Sequence, residues 1–265
     1  MGSVSLSISA IGAAWRFLAT AWARAWAAML IAAAALAAPS ALGLWSPRSP
    51  WRLVALAGVA ASVAMAEGAL YRTALEQGRP GPAGLQWGRP EWRLGAIWGL
   101  SLAFLFVLGL LAFVAVLATA FGVATSGPGF VMALPATWAG AVEGPGRWIL
   151  AVVAALCLAG LVWATTRIAL GAAASVDREK VQLLATWPAT RRLVAPILLG
   201  RLVLGGVPIG FAGVVIWAAS RGAHPPPMLV WAACLAAGLA VAGLWLPLSV
   251  GLMAYLYREI PAASK

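Results

Sequence analysis

Six long apolar runs constrain this chain more than any other feature of its sequence. Each run is about 20 residues long, and a helix of that length spans a bilayer hydrocarbon core of about 30 Å. Charged residues make up only 9% of the chain, whereas soluble domains carry about 25%. The runs do not alternate apolar and polar residues as membrane β-strands do. The sequence therefore predicts an all-α polytopic membrane protein with six transmembrane helices, at roughly 27–46, 53–72, 94–122, 148–168, 195–219 and 228–256.

The chain is expected to form a single integral membrane domain over residues 1–265. Its first segment, 1–25, is predicted to be an interfacial amphipathic helix. The six spans then pair into three transmembrane hairpins, at 26–72, 93–168 and 192–258.

The net charge of +11 is distributed unevenly along the chain. With a cytoplasmic N-terminus, thirteen Lys and Arg residues fall inside and four outside, a bias that places both termini in the cytoplasm of a bacterial inner membrane. We interpret the basicity as a topology signal and as affinity for anionic phospholipid headgroups; nucleic acid is not an expected partner. The inside set is Arg16, Arg24, Arg72, Arg79, Arg89, Arg93, Arg167, Arg178, Lys180, Arg191, Arg192, Arg258 and Lys265, and the outside set is Arg48, Arg52, Arg147 and Arg221.

The N-terminal segment has the periodicity of an amphipathic helix. Arg16, Thr20 and Arg24 share one side, and the other side is apolar. A helix over 5–25, lying close to the membrane plane, is therefore predicted. Residues 24–41 also resemble a signal peptide, but the amphipathic region before them favours an uncleaved first span. The apolar side carries Ile8, Ile11, Trp15, Leu18, Trp22 and Trp26.

The most polar stretch, 175–193, lies between the fourth and fifth runs. Its weak amphipathic pattern predicts a second interfacial elbow helix over 177–187, which Pro188 would end. The corresponding loop 73–92 is rich in Gly and Pro, so at most one short helical turn is expected there. Tryptophan side chains favour the headgroup zone of a bilayer, and four are predicted interfacial anchors: Trp15, Trp22, Trp87 and Trp187.

Arginines mark the cytoplasmic ends of the spans. The second, fourth and sixth spans end at Arg72, Arg167 and Arg258, with spacings of 95 and 91 residues. This arrangement suggests an elbow followed by a hairpin, used three times, although the positive-inside rule alone could place these residues. Together with Arg191 and Arg192, these arginines are the candidate contacts for lipid headgroups.

Glu67, in the second span, is the only acid inside a predicted span, and Arg201, in the fifth, is the only base well inside one. An ionisable group at that depth costs at least about 2.5 kcal/mol on insertion scales, so each has reason to find a partner. We predict that the two lie within reach of each other, directly or through one water. The alternative is that Glu67 binds a proton or a substrate.

No constellation for chemistry can be assembled from the remaining residues. His224 is the only histidine and sits among prolines, so neither a catalytic triad nor a metal site can be built from it. Cys157 and Cys234 lie inside spans without a CxxC or Cys/His neighbour, which indicates packing residues. We therefore expect no catalytic residue, no metal and no cofactor, and we do not expect an enzyme.

The arrangement of most of the chain resembles that of a group of bacterial proteins. An arginine ends span four, a charged elbow follows, and a Trp and a basic pair lead into span five; here these are Arg167, 177–180, Trp187 and 191–192, with "AYLYREI" closing the last span. This order is similar to that of six-helix bacterial inner-membrane proteins that include the membrane domain of glycerophosphodiester phosphodiesterases and the YciC-like proteins. The resemblance implies a membrane module, and no catalytic residues carry over, because the chain has no phosphodiesterase domain.

Three functions remain open on these grounds. The first is an accessory, scaffold or organising subunit that binds lipids and other membrane subunits, or associates with itself. The second is a small-molecule or ion transporter or channel, against which stands the scarcity of polar groups inside the spans. The third is an intramembrane lipid-handling protein.

Overall fold

A computed structural model describes residues 3–42, 49–76, 81–125, 146–220 and 226–260. These residues are mostly helical and contain no β-strand. Six helical segments in them are long and apolar enough to cross a membrane, in agreement with the six predicted runs: Val4–Ala41, Arg52–Leu75, Pro82–Thr125, Gly146–Asp177, Val194–Ala219 and Pro227–Arg258. His224 lies outside the described residues.

Eight α-helices follow one another along the described chain. Short 3₁₀ turns at Pro82–Gly84 and Ala189–Arg192 precede α3 and α6, and a π-helical segment, Ala240–Trp245, joins the last two helices. The helices are α1 (Ser3–Ala41), α2 (Arg52–Leu75), α3 (Arg89–Thr125), α4 (Gly146–Ile168), α5 (Gly171–Asp177), α6 (Val194–Ser220), α7 (Pro227–Leu239) and α8 (Leu246–Arg258).

The chain forms two compact units. Unit one contains residues 1–98 and 168–265, and unit two contains residues 99–167. The core of unit one forms where the first part of α1 meets the second half of α2, α5 and α8, as shown by the fully buried Leu70, Leu170 and Leu252. These are the ends of the spans for which the charge pattern predicts a cytoplasmic location.

Parts of α2 and α6 carry apolar side chains at the surface. Leu53 and Val54 near the start of α2 are 69% and 62% exposed, and Val207 in the middle of α6 is 77% exposed. Exposed apolar side chains on this scale are what a lipid environment accommodates. These parts of the two helices therefore contribute little to the packing of unit one.

The first helix confirms the predicted helical segment, and its protein-facing side is formed by small residues. Residues 5–25 are helical, and a break at Ala25 (φ −131°, ψ 21°) divides α1 in two. Ile8 and Trp15, expected on one apolar face, are 67% and 54% exposed, whereas Ala10 and Ala14 are fully buried. Small residues occupy the buried face because they allow helix backbones to approach closely.

The contacts of this helix give its direction relative to the last span. Ala14 lies against Gly251, and Trp22 lies against Gly243. The two contacts are eight residues apart on both segments, so this part of α1 runs antiparallel alongside the end of the last span. Its predicted orientation close to the membrane plane stays a prediction.

The predicted elbow helix over 177–187 is wrong. Helix α5 ends at Asp177, and residues 178–188 form turns and irregular structure. Glu179 has a left-handed backbone (φ 55°), and the Gln182 N–H donates to Ser175 Oγ at 2.8 Å. This side-chain acceptor competes with the backbone carbonyl that a continuing helix would supply, so the chain folds back on α5.

Two contacts attach this polar turn to the rest of unit one. The Tyr257 hydroxyl of α8 donates to Asp177 Oδ2 at 2.8 Å. Arg93 at the start of α3 lies 3.6 Å from Glu179. In the 73–92 region, α2 continues to Leu75 and the one short turn at Pro82–Gly84 is present as expected.

Unit two is a helical hairpin formed by α3 from residue 99 onward and by α4. The two helices touch where the Cys157 thiol lies 3.8 Å from the Ala112 carbonyl oxygen. Other apolar side chains point outward, for example Leu102, Phe106 and Leu156, which are 69%, 72% and 67% exposed. The hairpin thus presents an extended apolar surface.

Candidate functional site

The candidate site is a polar cluster within unit one, formed by α2, the start of α3 and α6. Glu67 of α2 is its acid and is only 8% exposed. The Trp98 side chain donates a hydrogen bond to the Glu67 carboxylate. The second carboxylate oxygen, Oε2, is buried without a hydrogen-bond partner among the described residues.

Arg201 supplies the positive charge from α6. Its guanidinium interacts electrostatically with Glu67 and with the Tyr71 hydroxyl, and its side chain is only partly buried. Within the described residues, no ion pair with an N–O distance of 4.0 Å or less joins Glu67 to Arg201. The two charges thus interact without direct contact, and whether one water bridges them stays a prediction.

Helix geometry explains how α2 contributes to this cluster. Glu67 and Tyr71 are four residues apart and therefore share one face of the helix. Tyr71 is 2% exposed, so both side chains point into the bundle. The cluster has one acid, one base, one phenol and one indole, a set that can bind polar groups of either charge.

A buried ion pair lies next to this cluster. Arg72 Nη1 contacts Glu91 Oε1, and the two side chains are 7% and 0% exposed. The other carboxylate oxygen, Oε2, accepts the Gly88 N–H at 2.8 Å. Gly88 is the residue before α3 and Glu91 is its third residue, so Glu91 makes the reciprocal half of a capping box.

This ion pair also accounts for a glycine on α2. A Cβ at Gly68 would overlap Glu91 Oε1 and would lie 2.9 Å from the carboxyl carbon. Glycine therefore leaves room on α2 for the Glu91 carboxylate, which an alanine would force to move. Arg72, expected at a lipid headgroup, has a protein carboxylate as its partner.

The other candidate headgroup arginines differ in exposure. Arg167 is 5% exposed, and its guanidinium lies 5.6 Å from the centre of the Trp163 ring. The Arg258 side chain is 49% exposed and lies 3.3 Å from Glu76. Arg191 and Arg192 are exposed in the 3₁₀ turn before α6, so these two retain the access that a headgroup contact needs.

The predicted tryptophan anchors fall into two groups. Trp15 and Trp87 are 54% and 45% exposed, and Trp87 packs edge-on against Trp92 with ring centres 5.5 Å apart. Trp22 is partly buried, and its indole N–H donates to the Gly243 carbonyl at 3.0 Å. Trp187 is also partly buried. Interfacial anchoring stays a prediction for all four.

Sequence reasoning missed Tyr71, Glu91 and Trp98. Glu91 carries a recognisable signal, because an acid three residues after a helix-capping position is typical of a capping box. Trp98 and Tyr71 carry no such signal, since their role depends on how α2, α3 and α6 come together. Within the described chain, no three His, Cys, Asp or Glu side chains form a group that could hold a metal ion.

Six apolar spans with a small polar cluster between them define the class: this is a multi-pass α-helical membrane protein. Comparison with known proteins adds no narrower assignment, because no family model, curated protein or solved structure matches the chain.

Proposed function

We propose that this chain is a non-enzymatic accessory, scaffold or organising subunit of the bacterial inner membrane, with both termini in the cytoplasm. The observation that carries the proposal is the apolar surface of α3. None of the side chains in its most apolar stretch is buried. A span that contributes so little to internal packing is available to other helices and to lipid.

The glycines of α3 and α6 support helix docking on these surfaces. A Cβ at Gly95, Gly99, Gly206 or Gly210 would meet nothing within 4 Å. Glycines four residues apart let helix backbones approach closely in membranes. Partner subunits, or a second copy of this chain, would therefore dock on these faces, while Arg191 and Arg192 bind anionic headgroups.

Site-specific photo-crosslinking tests the subunit proposal. A crosslinking amino acid replaces Phe106 of α3, which is 72% exposed, and the matched control replaces Met228 of α7, which is 85% exposed. We expect Phe106 to capture one protein partner at near-stoichiometric yield in cells that express the chain at native level. Equal capture of lipid alone from both positions would refute the proposal.

A transporter or channel is the second candidate, and the electrostatic interaction of Glu67 with Arg201 favours it. Charged groups inside spans often mark ion and substrate pathways. Proton flux into liposomes, followed with an internal pH-sensitive dye, tests this function. Flux that Glu67→Gln abolishes without loss of thermal stability supports transport, whereas an equal leak in empty and protein-containing liposomes excludes proton transport.

A lipid-handling role is the third candidate. Its support is the set of exposed basic side chains near the inner ends of the spans, which would contact anionic lipid on the cytoplasmic side. Flotation with vesicles does not test it, because the whole chain inserts into membranes. Co-purification of anionic lipid with the wild type, and its loss on changing both Arg191 and Arg192 to Gln, is the appropriate measurement.

A further inference from the structure

The unmatched oxygen of Glu67 raises the question of what completes the polar cluster. Buried polar atoms in proteins nearly always have a partner, and each exception requires an explanation. Glu67 Oε2 has none among the described residues, although Arg201 is close enough to interact electrostatically. An ionised carboxylate only accepts hydrogen bonds, so a group that donates to Oε2 would complete the site.

The neighbouring side chains limit the chemistry of that partner. An indole N–H is a donor only, and Trp98 already donates to the Glu67 carboxylate. A cation alone would meet repulsion from Arg201, and an anion alone would meet repulsion from Glu67. A group that carries both charges avoids both penalties and satisfies the carboxylate and the guanidinium together.

The two charges also differ in access. Glu67 is 8% exposed, whereas Arg201 is only partly buried. Arg201 lies seven residues from the start of α6 at Val194, or about 10 Å along the helix axis at 1.5 Å per residue. We infer that a ligand enters from the Arg201 side, because that side of the cluster is the more exposed one.

We propose that the cluster of Glu67, Tyr71, Trp98 and Arg201 binds a zwitterion that carries an ammonium and an oxyanion. The ammonium donates to Glu67 Oε2, and the oxyanion, a phosphate or a carboxylate, accepts from the Arg201 guanidinium. The ethanolamine headgroup of a phospholipid and a free amino acid share this chemistry. The inference goes beyond the subunit proposal and does not depend on it.

Lipid retention by the intact protein tests the site without any mutation. The full chain is reconstituted in nanodiscs of equal phosphatidylethanolamine, phosphatidylcholine and phosphatidylglycerol, and the lipids that stay bound are identified by native mass spectrometry. We expect ethanolamine lipid to be retained about tenfold over choline lipid, because the quaternary choline nitrogen has no N–H to donate to a charged acceptor. Equal retention of these two lipids, with no response to glycine, would overturn the proposal.

Glycine distinguishes the two sources of the zwitterion. In nanodiscs of phosphatidylcholine alone, millimolar glycine is added and the shift in thermal unfolding is recorded. Stabilisation by glycine without a preference for ethanolamine lipid assigns the site to an aqueous zwitterion, and the reverse result assigns it to the lipid. Both outcomes support the shared chemistry.

Matched variants locate the ligand. Glu67→Gln should remove the preference for ethanolamine lipid over choline lipid. Glu76→Gln should leave this preference unchanged, because it changes a 79% exposed acid one helical turn beyond Arg72. Loss of the preference in both variants would overturn the assignment to Glu67. If Glu67→Gln does not fold, the wild type still tests the proposal with ethanolamine, N-methylated ethanolamine and choline lipids. Retention must fall as N–H donors are removed from the headgroup.

Discussion

Arg72 Nη1 of α2 lies 2.5 Å from Glu91 Oε1 of α3, and this contact is buried on both sides. The pair joins the end of one predicted span to the beginning of the next. Because Glu91 also accepts the Gly88 N–H, one carboxylate both neutralises the arginine and caps α3. Glu91 therefore combines two structural roles at the point where the two helices meet.

Replacing Glu91 with glutamine should destabilise the protein strongly. The change keeps the shape of the side chain but leaves Arg72 buried without its counter-charge, which typically costs about 3–5 kcal/mol. The measurement is the free energy of unfolding in mild detergent, from a denaturant titration. The control is Glu76→Gln, since the Glu76–Arg258 pair is exposed and such pairs contribute about 0–1 kcal/mol. Equal effects of the two changes would contradict the assigned role of Glu91.

Two glycines on α2 should respond oppositely to alanine. A Cβ at Gly68 overlaps the Glu91 carboxylate, whereas a Cβ at Gly58 meets nothing within 4 Å. Gly68→Ala is expected to cost about 1–3 kcal/mol through overpacking. Gly58→Ala should be neutral, or stabilising by up to about 1 kcal/mol through helix propensity. Thermal unfolding of the two variants side by side tests the close approach of α3 to α2, which a tolerated alanine at Gly68 would disprove.

The hydrogen bond between Trp22 and Gly243 should be measurable by itself. Trp22→Phe keeps an aromatic ring but removes the indole N–H that donates to the Gly243 carbonyl at 3.0 Å. A typical hydrogen bond contributes about 0.5–1.5 kcal/mol, so a loss in that range is expected beyond the loss for Trp26→Phe. Trp26 is 49% exposed and serves as the matched aromatic control. Identical unfolding curves for both variants would show that the bond contributes nothing.

The charge distribution predicts the sidedness of the chain. A reporter that is active only in the periplasm should be active when fused after Ser220 and silent when fused after Lys265. The physical reason is the excess of Lys and Arg in the segments assigned to the cytoplasm. Fluorescence from a cytoplasm-specific reporter at the same two positions is the complementary control. The opposite pattern would invert the proposed topology.

Hydropathy alone predicted the six spans, because each apolar run is long enough to dominate its local structure. The polar turn and the packing of α1 depend on contacts that hydropathy does not describe. The polar turn at 178–188 is set by Ser175 accepting from Gln182, a contact that amphipathic periodicity does not reveal. The buried face of α1 is set by alanines such as Ala14, since backbone proximity outweighs side-chain hydrophobicity where two helices pack closely.

The candidate site was only partly accessible to sequence reasoning. Glu67 and Arg201 stand out because charges inside spans are rare. Arg72, in contrast, has the sequence context of any arginine at a cytoplasmic edge. Its partner Glu91 is nineteen residues away, near the end of the predicted loop 73–92, which is rich in Gly and Pro. Which arginine becomes buried depends on the path of that loop, and composition does not determine the path.

The π-helical segment Ala240–Trp245 lets the last span contain one extra residue without changing the direction in which its closing part faces. A π-bulge accommodates one residue more than the α-helix on either side of it, so the turns before and after it stay in phase. The same extra residue in an uninterrupted α-helix would rotate everything after it by about 100°. Gly251 would then turn away from Ala14, which it now contacts. The π-helical segment therefore keeps the closing helix in register with α1.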